Sequence, residues 1–125
     1  MACILLDIDG VLHVSGEPIS GVPEAVSDLR RAGHALRFVT NNSTRPRPRR
    51  VVRDEPERTW LVTDDVDADV RGARLFGMKT ALVRTGKFRP EALESAEASP
   101  DIVVSSLAHF PALLEADLTG GEWAP

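Results

Sequence analysis

At 125 residues the chain has length for about one domain built around one core. Apolar residues make up 42% and charged residues 27%, the balance of a soluble globular protein, so neither disorder nor a membrane span is expected. A formal net charge of −4 and the absence of tyrosine exclude the basic, aromatic-interleaved surface of a nucleic-acid binder.

The first element is an apolar run, Cys3-Ile4-Leu5-Leu6, that meets Asp7-Ile8-Asp9-Gly10. A continuous apolar run suits a parallel strand covered on both faces, and ligands of open α/β sheets bind beyond the carboxyl ends of such strands. Two aspartates this close repel each other, so a cation or a shared proton is implied. Cys3, the only cysteine, reads as a buried thiol and allows no intramolecular disulfide. No basic stretch precedes Asp7, so no secretory signal or anchor is expected and a cytoplasmic location follows.

His13 to Ile19, with turn formers Gly16 and Pro18, reads as a short irregular excursion in which His13 is a solvated loop residue within reach of a substrate. A helix starts near Pro23, carries Glu24 in its first turn and ends before Gly33. Val22, Ala25, Val26, Leu29 and Ala32 form its sheet-facing stripe. Ala35 to Val39 is a second strand running into Thr40-Asn41-Asn42-Ser43. The next stretch, Ser43 to Thr59, holds Arg45-Pro46-Arg47-Pro48-Arg49-Arg50 and an acidic Asp54-Glu55-Pro56-Glu57 without a helical pattern, which is either a functional loop or a proline-stiffened linker. Its arginines are able to bind phosphate.

Trp60-Leu61-Val62-Thr63 then repeats the opening design by running into Asp64-Asp65, with Asp67 and Asp69 close behind. Asp69 stands where a helix bounded by Gly77 begins, so a capping role is expected beside a role in the site. Thr80 to Val83 is a fourth strand, Pro90 to Glu94 a short helix and Ile102 to Val104 a fifth strand. A last helix from Leu107 to about Leu118 aligns Leu107, Phe110, Leu114 and Leu118, and the tail from Gly120 to Pro125 is expected to fray.

This alternation predicts an α/β fold with a parallel sheet of order 2-1-3-4-5. Strands one and three are then neighbours, which brings Asp7 and Asp9 beside Asp64 and Asp65, with Thr40 on the other flank. A carboxylate-rich pocket without clustered His or Cys selects a hard cation such as Mg²⁺. At such a site Asp7 is placed to attack a phosphoryl group, Asp9 to act as general acid and base, and Thr40 with the following backbone N–H to hold phosphoryl oxygens.

These residues resemble the haloacid dehalogenase (HAD) superfamily. Asp7-Ile8-Asp9-Gly10 is similar to its first motif, Phe38-Val39-Thr40-Asn41-Asn42-Ser43-Thr44 to its second, and Asp64-Asp65-Val66-Asp67-Ala68-Asp69-Val70 with Gly72-Ala73 and Gly77-Met78 to its fourth. Val83-Arg84-Thr85-Gly86-Lys87 adds a likeness to the subfamily IIA group of NagD-like and 4-nitrophenyl phosphatases. The resemblance implies a Rossmann-like three-layer sandwich and a Mg²⁺-dependent phosphatase acting on a phosphate monoester through an aspartyl-phosphate. It makes Asp7 nucleophile and metal ligand. Asp9 becomes acid and base with its backbone carbonyl on the metal, and Asp64 the third protein ligand. Thr40 and Asn41 bind substrate, while Gly10, Asp65 and Asp69 support the site.

The chain departs from that family in three places. Residues 45–58 are a shortened linker where the subfamily has a cap domain, so a single capless core over 1–125 is expected. The family lysine has no counterpart, because Lys79 and Lys87, the only lysines, follow the acidic cluster. Losing such an electrostatic group costs about 10²- to 10³-fold in rate, and Arg47, Arg49, Arg50 or Arg53 would be its substitute. Thr63 stands where the family has glycine and is expected to crowd the metal. A missing sheet strand would leave strand two an open edge and favour a homodimer. Two readings remain: a minimal phosphatase open to small or bulky phosphates, or a non-catalytic binding module left by internal deletion. A receiver-type phospho-acceptor domain shares the acidic pocket but places its aspartate on a later strand.

Overall fold

The structure is a computed structural model that describes residues 2–39, 58–86, 88–95 and 99–118. Thr40 and Asn41, the arginine-rich segment from Arg45 to Glu57, Lys87 and the 119–125 tail lie outside the described residues. Seven strands are present among the described residues: β1 Cys3–Asp7, β2 His13–Val14, β3 Glu17–Pro18, β4 Ala35–Val39, β5 Thr59–Thr63, β6 Lys79–Val83 and β7 Ile102–Val104. The helices are α1 Val22–Arg31, α2 Arg71–Leu75, α3 Pro90–Ser95 and α4 Phe110–Leu118. A π-helical turn over Val66–Val70 leads into α2, and a 3₁₀ turn over Leu107–His109 leads into α4.

Five strands make one all-parallel sheet in the order β4-β1-β5-β6-β7, which is the expected order 2-1-3-4-5. The apolar runs dictate this, because β1 is hydrogen-bonded on both sides and covered on both faces. Cys3 stands level with Ala35 on one side and Thr59 on the other, so the ends of β1 and β5 come out together.

The two-residue period sorts side chains into two cores. Ile4, Leu6, Trp60, Val62, Ala81, Val83, Ile102 and Val104 face α1 and α4, packing with Val22, Ala25, Leu29, Phe110 and Leu114. Leu5 and its neighbour Leu61 point the other way, toward Ala73 and Met78. Leu82 joins Val66 and Val70 beside α3. Helices therefore cover both faces, giving three layers. Trp60 and Phe110 meet edge to face with centroids 5.5 Å apart.

Several local expectations need correction. The stretch after Gly10 is an ordered antiparallel hairpin, with His13 paired to Pro18 and Val14 to Glu17, rather than an irregular excursion. Ala32 is exposed, since α1 ends at Arg31 and Ala32 already caps it. Cys3 is half-buried, and burial pushes its thiol pKa up. The last helix is α-helical only from Phe110, and Leu113 joins Leu114 against the core. Among the described residues, no helix is long and apolar enough to cross a membrane.

Candidate active site

β1 delivers Asp7 as its last residue, and burial leaves that residue 1% exposed. The chain then turns sharply. Ile8 N–H donates to the Val39 carbonyl at 3.0 Å, Gly10 N–H to the His13 carbonyl at 2.8 Å, and Leu12 N–H to the Ile8 carbonyl at 3.0 Å. Gly10 has φ +86°, a conformation that a side chain would strain. The turn throws Asp9 outward: its side chain keeps 56% of its exposure, with Oδ1 lying 3.7 Å from His13 Nε2. His13 is thus a partner of Asp9 inside a hairpin, not a free loop residue.

β5 delivers Asp64 directly beyond Thr63, and Asp64 is buried at 3% exposure. Thr63, fully buried, donates its hydroxyl to Asp69 Oδ2 at 2.6 Å and accepts the Asp65 N–H at 3.1 Å. One correction comes from these bonds. Asp69 does not cap a helix, because helical backbone already begins at Val66 and the carboxylate is turned back onto Thr63. Thr63 is engaged as a brace between Asp65 and Asp69 within this loop.

Electrostatics converge on Asp7. Burial chiefly, then the charges of Asp69 and Asp64, with a smaller contribution from Asp9, raise its pKa to about 7 against the opposing hydrogen bond from Ile8 N–H. Without a compensating cation, this buried and acidic setting favours the protonated form of Asp7.

The turn after β6 closes the site from the far side, and sequence reasoning gave it no place in the chemistry. Thr85 Oγ1 donates to the Gly10 carbonyl. Gly86, at φ +62°, lies so close that an added Cβ would overlap both the Asp64 carboxylate and Gly10 Cα, and one added at Gly10 would overlap the same carboxylate. The available signals were the subfamily likeness of Val83-Arg84-Thr85-Gly86-Lys87, which assigned these residues no role, and a glycine at a strand end, which reads equally well as an ordinary turn.

Lys79 opens β6 at the opposite edge of the sheet, where Nζ reaches Asp117 Oδ2 at 2.8 Å and lies 5.4 Å from the Trp60 ring centroid. It is no stand-in for the family lysine. No group of three or more His, Cys, Asp or Glu side chains among the described residues is arranged to hold a metal ion on side chains alone. The set implied by the resemblance is different: two buried carboxylates, Asp7 and Asp64, with the Asp9 main-chain carbonyl. All are oxygen donors, and the surplus negative charge around Asp7 fits a hard divalent cation.

The HAD-hydrolase-like family model matches residues 27–110, a span that contains Asp64, Asp69, Thr85 and Gly86 and begins after Asp7 and Asp9. The chain is 40% identical over 55 residues to phospholysine phosphohistidine inorganic pyrophosphate phosphatase of Xenopus laevis, covering 44% of this chain and 20% of that protein. It is 30% identical over 101 residues to haloacid dehalogenase-like hydrolase domain-containing protein 2 of Homo sapiens, covering 81% of this chain and 37% of that protein. These matches thus span only about a fifth to somewhat over a third of the relatives' lengths. In structure, the chain resembles D,D-heptose 1,7-bisphosphate phosphatase from B. bronchiseptica, solved with magnesium and phosphate, with a TM-score of 0.76 at 17% identity over 94% of this chain and 99% of that one. With the matched span reaching from α1 through the acidic end of β5 to the last 3₁₀ turn and the start of α4, the chain belongs to the HAD-like hydrolase family.

Proposed function

We propose that this chain is a cytoplasmic, Mg²⁺-dependent phosphatase that hydrolyses a phosphate monoester through an aspartyl-phosphate on Asp7. The observation that carries the reading is the burial of Asp7 at the end of the central strand, with the charges of Asp64 and Asp69 directed at it. Mg²⁺, held by the Asp7 and Asp64 carboxylates and the Asp9 carbonyl, would neutralise that excess and polarise the phosphoryl group.

Ionised Asp7 attacks phosphorus in line with the ester oxygen, the P–O bond to the alcohol breaks, and the departing alkoxide takes the proton of Asp9. Asp9, now a carboxylate, draws a proton from water, which attacks phosphorus and releases inorganic phosphate and free Asp7. The split in exposure supports this division of labour. Asp7 is walled in, as a nucleophile shielded from competing water should be, whereas Asp9 reaches solvent where a leaving group and a water arrive. Thr40 and Asn41 hold the phosphoryl oxygens in this reading.

One observation favours the non-catalytic reading, in which the fold keeps its acidic pocket as a binding module: the engagement of Lys79 with Asp117 leaves no lysine among the described residues to balance the phosphoryl charge. The deciding experiment is release of phosphate from 4-nitrophenyl phosphate with Mg²⁺, with chelator, and with Asp7→Asn. Activity lost in both controls supports the phosphatase. Equal inertness of wild type and variant, with the fold intact and Mg²⁺ still bound, overturns it in favour of the binding module. The β4 edge, where Arg37 and Phe38 are exposed, supports a homodimer formed by strand pairing. Sedimentation showing only monomer at high concentration removes that proposal.

A further inference from the structure

We propose that the Thr85–Gly86 turn is a positioning element of the site, which locks the Asp64 carboxylate and the Gly10 turn together from across the sheet. β6 is not a neighbour of β1, since β5 lies between them. The turn after β6 must therefore arch over the end of β5 to reach Gly10, and Asp64 is the residue beneath the arch. Three observations meet there. Thr85 donates its hydroxyl to the Gly10 carbonyl. Gly86 leaves the space of a missing side chain to the Asp64 carboxylate and to Gly10 Cα. Gly10 leaves its own missing side chain's space to the same carboxylate.

Asp64 is thus held between two glycines, both at positive φ, with a hydroxyl joining their turns. A carboxylate confined in this way has few rotamers to lose when it takes a cation. The Gly10 carbonyl, once engaged by Thr85, also fixes the turn that aims the Asp9 carbonyl. Thr85 and Gly86 touch neither substrate nor reacting atoms in this scheme. They act through Asp64 and Gly10.

The metal readout of this inference rests on the phosphatase reading, whereas its geometric readout does not. The experiment uses the full chain and four variants, Gly86→Ala, Thr85→Val, Thr85→Ser and Gly33→Ala. Mg²⁺ binding is measured by titration calorimetry, the Gly10 and Asp64 amide resonances by NMR, and the unfolding midpoint by calorimetric scan. Gly33 also has positive φ, at +93°, but its missing side chain faces open space, so its variant carries backbone strain without crowding. Gly86→Ala is expected to weaken Mg²⁺ binding tenfold or more and to shift the Gly10 and Asp64 resonances. Thr85→Val should weaken binding several-fold, Thr85→Ser should restore it, and Gly33→Ala should lower the midpoint while leaving binding intact.

Wild-type affinity and resonances in both Gly86→Ala and Thr85→Val overturn the proposal. So does an equal loss of binding in Gly33→Ala, which would make the effect one of general stability. If Gly86→Ala does not fold, the Thr85→Val and Thr85→Ser pair decides. If wild type binds no Mg²⁺, the phosphatase reading falls, and the resonances alone judge the positioning role: unshifted Gly10 and Asp64 signals in Thr85→Val reject it.

Discussion

Two strands of this sheet end with the same sequence pattern and come to different uses. β1 and β5 each run apolar residues into a pair of carboxylates, and in each the first carboxylate is buried, Asp7 at 1% and Asp64 at 3% exposure. The difference lies in the turn beyond each strand. After β1 the chain swings through the Gly10 turn into a hairpin, and Asp9 is carried into solvent. After β5 it winds straight into a π-helical turn, and Asp69 is folded back and bonded to Thr63. One end leaves its second carboxylate open to water, as the proposed acid and base role of Asp9 requires; the other ties Asp69 back onto its own strand end. The pattern of residue types sets where carboxylates gather, and the next turn of backbone sets what each can do.

The strongest way to break this comparison is to remove the first carboxylate of β1. Asp7→Asn is expected to lower phosphate release by on the order of 10³-fold or more, because in the proposed mechanism Asp7 itself carries the phosphoryl. Asp9→Asn is expected to cost about 10²- to 10⁴-fold, with the largest loss for esters of poorly acidic alcohols that most need a proton. A flat dependence on leaving-group acidity would deny Asp9 its role.

At the other end, Asp64→Asn should raise the Mg²⁺ concentration for half-maximal activity by about 10- to 100-fold, and Asp65→Asn by much less. Equal effects would erase the distinction between the two carboxylates of β5.

A subtler contrast is electrostatic. The Asp7 pKa rises from 3.8 to about 7 on folding, so between those values the folded state binds more protons than the unfolded one. Stability from this group is therefore fully present below pH about 4 and is lost as pH rises through 7. With chelator present, Asp7→Asn should be more stable than wild type at pH 8 by a few kcal/mol, and the gap should close on approaching pH 4. Chemical denaturation at the two pH values measures it. The smallest effect is expected from Thr63→Val, which unties Asp69 and Asp65 and should cost about 1–3 kcal/mol of stability with a modest change in rate.

The sheet was legible because its strands are written as apolar runs whose direction and spacing leave few ways to connect them, and Ile4, Leu6, Val62 and Val83 all sit where such runs require. The meeting of Asp7 and Asp64 was legible for the same reason, since each follows an apolar run and the two strands are neighbours in the sheet. The braces were not. Thr63, read as an intruder, is engaged by Asp69 six residues on, and such a bond depends on how tightly the intervening turn winds. Gly86 lies 76 positions from Gly10, and only the assembled sheet brings their turns together. The hairpin after Gly10 escaped because His13–Val14 and Glu17–Pro18 are too short to show a period of two. Asp69 was read as a cap because the residue pattern places the helix start at Val70, whereas helical backbone begins one turn earlier, at Val66.

The all-parallel pairing of β1 also bears on how the chain is made. Cys3 must wait for Ala35 on one side and for Thr59 on the other. At about 5–20 residues per second on the ribosome, the wait from Cys3 to Thr59 is roughly 3–11 s. Throughout it, the apolar central strand β1 has no neighbour on its β5 side, and the carboxylates that will meet beside Asp7 are still apart. Slow, non-local closure of this kind leaves a strand open to wrong partners. Yield in a cell should then depend on chaperones that shield the nascent Cys3–Leu6 segment more than on the stability of the finished sheet.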